Sequence, residues 1–497
     1  MFDNEIFGSV IVSLLAVAGF IVVLLKSKAL AIASGLAGVA IEGVSVMLDS
    51  TQSDARKEQA VRASGIKLII GAWQVLWRLA LAILAVAAPV LIAAVFRIVP
   101  RDDSLNVLLS VEFIVIISVL GVLLSWGLRR KTNNTHSDVT SSGSNAYGAG
   151  DKFVHALAFS GPGTLKILAR VDDRLFSKTL RDLSDRPPIF ITSIARGGTT
   201  ALLNALHDLP QIATHRYCDM PFISAPLLWS KLPGHGGAVA ERPRAHGDGL
   251  TISSQSPEAF DEVFWRLYWP EKYHDQTIDL WTRADMKEDA QLFFQRHFRK
   301  ISKLRHSQLT GATDPIRYLS KNNANIARLD LLPQMFPKCD IVVPLRGPAA
   351  HAASLLRQHQ NFTKRHAEDP FVTRYMRDIG HLEFGALQSS MNFLPEALEP
   401  YHPMQSDYWL AYWIAAFENV VEHSDTVHII TQDALRQSPN TSVRALLERL
   451  GIKDNPDTDF TSYFHNRMDT QPTELFDPEL MLRAQKLYEK LSMHTVK

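Results

Sequence analysis

The chain has 497 residues, with 52 basic against 51 acidic side chains and a formal charge of +1. One hydrophobic core rarely grows beyond about 250–300 residues, so at least two structural units are expected. The balanced charge gives no electrostatic case for nucleic acid as a partner, and the two cysteines, Cys218 and Cys339, exclude a disulfide framework or a multi-cysteine zinc site.

The excess apolarity lies before residue 131. Residues 6–25 carry no charge and have about the length needed to cross a bilayer. The opening Met1-Phe2-Asp3-Asn4-Glu5 and the trailing Lys26 and Lys28 suit an uncleaved anchor, because a signal peptide begins with a basic region. Residues 79–96 and 105–128 read as two further spans. Between the first and second, residues 29–67 mix small apolar side chains with Glu42, Asp49, Asp54, Arg56 and Lys57. That is the pattern of helix lying on or beside the membrane, with residues 29–48 as an alternative fourth span. Lys26, Lys28, Arg56, Lys57, Arg62 and Lys67 follow the first span, and Arg129, Arg130 and Lys131 close the third. The excess of Lys and Arg on cytoplasmic flanks then places the N-terminus outside and everything after residue 131 in the cytoplasm, below an inner membrane crossed several times. Trp73 and Trp77 would mark the inner edge of the second span, and Glu112 is read as a polar contact between helices.

Four segments are expected: a membrane anchor of about three transmembrane helices (1–131), a flexible Ser/Thr/Asn/Gly-rich linker (132–151), a helical lead-in interrupted by Gly161-Pro162-Gly163 (152–186), and an α/β domain (187–497). In that domain Ile189-Phe190-Ile191 reads as a buried strand. It runs into Ser193-Ile194-Ala195-Arg196-Gly197-Gly198-Thr199-Thr200 and then the helical pattern 201–206. A strand, a glycine-containing turn and a helix aim free N–H groups and a helix N-terminus at an anion. Arg196 adds a fork-shaped cation, and Thr199 and Thr200 add hydroxyls. The turn lacks the G-x-x-x-x-G-K-[ST] pattern of an ATP or GTP loop. A second strand, 340–345, ends in Arg346-Gly347-Pro348 and a helix bearing Ser354. Pro344 places that strand's end, or a sheet edge, nearby. Both turns are expected at the C-terminal edge of an open parallel sheet, where such sheets bind ligands.

Together the two turns resemble the sulfotransferase superfamily that uses 3′-phosphoadenosine 5′-phosphosulfate (PAPS). Its first loop usually reads G-x-P-R-S-G-T-T, matched by 193–200 with Arg196, Gly198, Thr199 and Thr200 kept and Gly197 in place of serine. Its second motif usually reads R-D-P with a serine about six residues on, matched by Arg346, Pro348 and Ser354 with Gly347 in place of aspartate. Lys321-Asn322-Asn323-Ala324-Asn325 resembles the approach to that motif, and Ile430-Thr431-Gln432-Asp433-Ala434-Leu435 the closing strand and helix.

The resemblance implies a P-loop-like parallel sheet flanked by helices, behind the all-α anchor. It implies PAPS as co-substrate and no metal. Arg196, Gly197, Gly198, Thr199 and Thr200 would hold the 5′-phosphosulfate, and Arg346 and Ser354 the 3′-phosphate. Family members place a base after the first helix, so Asp219, then His215, are the candidates, with Lys321 toward the cofactor or the sulfuryl group. Glu258 and Glu262 lie on an amphipathic helix, Glu258 in a capping position. Trp229, Trp265, Tyr268, Trp269 and Tyr273 are open between an acceptor cleft and core packing. The anchor suggests an acceptor hydroxyl on a membrane-associated or carbohydrate molecule, such as a lipid-linked saccharide. The alternatives are a nucleotide-dependent phosphotransferase and a non-catalytic nucleotide-binding membrane scaffold.

Overall fold

The computed structural model describes residues 2–27, 54–96, 98–110, 159, 161–181, 186–231, 242–243, 251–258, 260–306, 316–453, 455–464 and 472–496. The chain divides into two compact units, Met1–Leu128 and Arg129–Lys497.

In the first unit, α1 (Phe2–Lys26) packs antiparallel to α2 (Asp54–Val95), and α3 (Arg101–Leu109) follows. Small residues let the long helices approach: Ala16 and Ala82 are fully buried, and a side chain on Gly19 would stand 3.1 Å from the Ala85 carbonyl. Arg78 donates to the Ser27 carbonyl at 2.9 Å and lies over the Trp77 ring, so it is tied down within the unit.

The expectation of three spans is corrected here. Among the described residues one helical segment, Trp73–Val95, is long and apolar enough to cross a membrane. That segment continues directly from the charged turns at 54–67 as one 42-residue helix, without the break expected between an interfacial helix and a span. The helix expected from residue 105 stops at Leu109, because Ser110 turns to extended backbone (ψ 136°) and its hydroxyl takes the Val107 carbonyl at 2.7 Å. Residues 111–128 with Glu112, the segment 29–48 and the linker 132–151 lie outside the described residues.

The second unit is built on a five-stranded, wholly parallel sheet. Its strands are β1 (Ile189–Ile191), β2 (Ile212–Ala213), β3 (Arg317–Lys321), β4 (Asp340–Leu345) and β5 (His428–Thr431), in spatial order β2-β3-β1-β4-β5. Phe190, Ile341, Val343 and Leu345 enter the core on one face, while Ile189, Ile191, Leu319, Val342 and Ile430 enter that on the other. Strands buried on both faces read as unbroken apolar runs, which is why β1 and β4 were recognisable. Ile191 pairs with Val342, so β4 runs three residues past β1. Pro344 sits inside this central strand, against Ile430. Asp340 N and the Val342 carbonyl both bond toward β1, so the N–H that Pro344 lacks would face β1 after β1 has ended. The proline therefore costs no ladder bond and marks neither an edge nor the strand's last residue.

Helix α4 (Pro162–Leu175) begins at the Gly-Pro-Gly interruption, with Pro162 in its first turn. Five helices place the site: α5 (Thr199–Leu206), α6 (Glu262–Tyr268), α7 (Glu288–His306), α8 (Pro348–Glu368) and α9 (Ser406–Glu422). Helix α8 starts on Pro348 and presses its alanines, with Ala349 and Ala352 fully buried, into the main core.

Candidate functional site

The first turn needs glycine for steric reasons. Gly198 has φ +98°, and a side chain there would meet Gln432 at 2.5 Å. One on Gly197 would stand 2.4 Å from Ser193 Oγ. Arg196 itself adopts the left-handed region at φ +67°. Such strain in a non-glycine residue is retained only where the surroundings enforce it, commonly at binding sites.

The surroundings here include the second turn. Arg346 Nη1 donates to the Arg196 carbonyl at 3.1 Å, and Arg196 Nε approaches Ser354 Oγ at 3.4 Å. Thus the turn after β1, the turn after β4 and the first coils of α8 meet at one sheet edge. His351 adds a contact to the Ala195 carbonyl at 2.8 Å. Ser193 Oγ and Gln432 Oε1 are buried at this turn without a hydrogen-bond partner in the protein, a pattern that calls for a polar ligand or water.

Beside the turns runs a narrow cleft of about 650 Å³ counting the part open to solvent, of which about 30 Å³ is room for the centre of a water molecule. Ala195, Lys321, Asn322, Asn323, Glu262 and residues 380–384 and 388–391 line it, with Leu355, Trp409 and Tyr412. Asn323 ties the cleft to the first turn: Thr199 Oγ1 donates to its Oδ1 at 3.1 Å, Thr192 Oγ1 donates to its carbonyl at 3.2 Å, and its Nδ2 donates to Glu383 Oε1 at 2.9 Å. The far wall is held by α8, where the Nδ1 atoms of His359 and His366 accept the Gly385 and Ala386 N–H groups.

Glu262 is locked in place. Both oxygens accept from Arg328 at 2.9 Å, and Tyr273 and Asn322 also donate to them. Arg328 lies in the corner between the Trp265 and Trp281 rings, 4.3 and 4.2 Å from their centroids, the two indoles meeting at 73°. Burial raises the Glu262 carboxyl's pKa, but Arg328 and the other donors outweigh it and leave the net value low.

Of the three expected catalytic residues, Lys321 alone lines this cleft, at the tip of β3 with Nζ 4.0 Å from the Glu258 carboxylate. Asp219 is fully buried and bonded to Arg305, His215 and the Arg216 N–H. Burial raises its pKa, yet Arg305 and then His215 overcome that and hold the carboxyl well below the usual carboxylate range, so it is a poor base. His215 spends Nδ1 on Asp219 and Nε2 on His297, at 2.7 Å, leaving no nitrogen for a substrate proton. Burial and the neighbouring His215 push His297 well below the ordinary imidazole value.

Glu258 accepts from Tyr217 at 2.6 Å instead of acting as a simple helix cap. Trp229, Trp265 and Trp269 are core, at most 2% exposed. Glu383, Trp409 and Tyr412 were not singled out from the sequence, and Asn323 was named only within the run 321–325, without a role of its own. The polar run after the buried strand 317–321 was the available signal for Asn323, whereas Glu383 and the two aromatics carry no local motif. Among the described residues no group of three or more His, Cys, Asp or Glu side chains is arranged to hold a metal.

A parallel sheet with two arginine-bearing turns at one edge is an arrangement suited to an anionic ligand. Residues 187–383 match the model of the Sulfotransferase family. No curated protein matches significantly. Solved structures similar to the chain include sulfotransferase STF9 from Mycobacterium avium (10% identity, covering 76% of this chain and 96% of that one, TM-score 0.40). They also include STF1 from Mycobacterium tuberculosis H37Rv (12% identity, 76% and 90%, TM-score 0.38) and a sulfotransferase from Alicyclobacillus acidocaldarius (13% identity, 63% and 94%, TM-score 0.30).

Proposed function

We propose that the protein transfers a sulfuryl group from PAPS to an acceptor hydroxyl. The observation that carries this reading is the contact between the two turns, Arg346 to the Arg196 carbonyl and Arg196 to Ser354. It brings two cationic side chains together where one adenosine bisphosphate presents two anionic groups. Residues 196–200 would hold the 5′ end, with the N–H groups of the turn and α5 aimed at it, and Arg346 and Ser354 the 3′-phosphate. The unpartnered Ser193 Oγ and Gln432 Oε1 fit a polar ligand there. When bound, PAPS supplies a sulfuryl group on a good leaving group. The chain's own part is then positioning and charge stabilisation: Arg196 neutralises charge on the departing phosphate, and Lys321 faces the cleft as a second cation.

The apolar segment Trp73–Val95 is in keeping with a membrane-bound enzyme whose acceptor is drawn from membrane-associated or glycan molecules. Deletion of the gene should then remove sulfated species from membrane lipids or envelope glycans by mass spectrometry; unchanged profiles would remove this acceptor class.

Calorimetric titration with 3′-phosphoadenosine 5′-phosphate (PAP) tests the core reading. Wild type should bind PAP in preference to ATP, and Arg346→Ala should lose about 2–5 kcal/mol of affinity, a thirtyfold drop or more. Preference for ATP would favour a phosphotransferase, and PAP binding without any sulfuryl turnover would favour a scaffold.

A further inference from the structure

Sulfuryl transfer to a hydroxyl requires a group that takes the hydroxyl proton, and neither Asp219 nor His215 reaches the cleft. The titratable groups that do line it are Glu262, Lys321, His381, Glu383 and Tyr412. Glu262 has both oxygens taken by Arg328, Tyr273 and Asn322. Lys321 is a cation beside Glu258. Tyr412 accepts the Met391 N–H at 3.3 Å, and burial raises its hydroxyl far above the range in which it ionises near neutrality.

Glu383 is different. Its Oε1 is fixed by Asn323 Nδ2, and the same amide accepts from Thr199 in the first turn of α5. One asparagine therefore sets the distance between this carboxylate and the end of the turn assigned to the leaving phosphate. The rest of the lining sorts by character: Ile278, Leu355, Phe384, Met391, Trp409 and Tyr412 present apolar and aromatic surface around the carboxylate.

We propose that this cleft is the acceptor site, that it takes a hydroxyl carried on an apolar or aromatic body, and that Glu383 accepts the hydroxyl proton. The proposal rests on the sulfuryl-transfer reading above. The acceptor oxygen forms its bond to sulfur as the bond from sulfur to the bridging oxygen of the 5′-phosphate breaks. The bond pair leaves with the phosphate, the proton passes to a Glu383 oxygen, and the products are a sulfate ester and PAP. Asn323 acts as a positioning residue.

Run backwards, Glu383 must protonate the departing phenol, which matters only when that phenol is a poor leaving group. Full-length wild type and Glu383→Gln are to be compared for PAP binding and for sulfuryl transfer to PAP from 4-nitrophenyl sulfate and 4-methylphenyl sulfate. The expected result is PAP affinity within threefold of wild type. Turnover of the methylphenyl ester should fall at least about a hundredfold, the scale of general acid–base catalysis, while that of the nitrophenyl ester falls less than about fivefold. Equal loss with both esters, no loss with either, or the leaving-group signature in His381→Asn instead overturns the assignment of Glu383. Wild type that binds PAP but turns over neither ester overturns the apolar acceptor site. Wild type that fails to bind PAP overturns the sulfuryl-transfer reading itself.

Discussion

At Glu262 a buried carboxylate is bound by a guanidinium that also contacts two indole rings, so charge, hydrogen bonding and cation–π attraction all bear on Arg328. Removing one partner of such a pair strands the other in the interior. Arg328→Ala should lower unfolding free energy by about 3–5 kcal/mol in urea titrations. Arg328→Lys should recover only part, because an ammonium cannot bond both oxygens side by side in the guanidinium's planar fork. Arg196, Gly198, Arg346 and Ser354 stood out in the sequence because the anion turns are short and contiguous. Glu262 was noticed as a helix residue without a partner. Its partner lies 66 residues away in the chain, where Arg328 looks like any basic residue at the end of a helix. Likewise Asp219 had the chemistry of a base, and what disqualifies it is Arg305, brought close by α7.

Turns and short wall segments are where strain and protonation act on whole elements. Gly198→Ala adds a left-handed alanine, at about 1–2 kcal/mol, and a clash with the end of Gln432. A lower melting temperature is expected, only partly restored by Gln432→Ala, since that change relieves the clash but not the backbone. The wall segment Gly385–Leu387 depends on neutral imidazoles. Burial, followed by the nearby His402, lowers the pKa of His359 to about 4, and burial with Arg377 lowers that of His366. An unfolded imidazole titrates near 6.5, so between about 6.5 and 4 the unfolded chain binds more protons than the folded one. Stability therefore falls as pH is lowered through that window and levels off below it. In His359→Gln, whose amide oxygen can still accept the Gly385 N–H, the midpoint of urea unfolding should depend less steeply on pH. Strands β1 and β4 were legible as apolar runs because both their faces are buried, whereas β3, equally buried, carries Arg317, Ser320 and Lys321 and gives no such run. Pro344 was harder to place, since its harmlessness depends on β1 ending three residues earlier.

For the molecule as a whole, the division into two units predicts that a chain beginning at Arg129 binds PAP within about threefold of the full protein and needs no detergent to do so. A tenfold or greater loss, or aggregation without detergent, would show that residues 1–128 contribute to the catalytic unit. Composition puts the boundary at residue 131, because apolarity changes abruptly there. It started the last expected span too early, because a hydropathy window does not register a single serine that turns the backbone, as Ser110 does after nine helical residues.

The bond from Arg346 to the carbonyl of Arg196 has a consequence for ligand discrimination. An arginine assigned to one end of the nucleotide also braces the backbone that receives the other end. Adenosine 5′-monophosphate, which lacks the 3′ group altogether, should therefore still bind Arg346→Ala more weakly than wild type, and truncating Arg196 and Arg346 together should cost less than their separate penalties added. The two ends of the donor are thermodynamically coupled, so this fold would recognise a bisphosphate cooperatively.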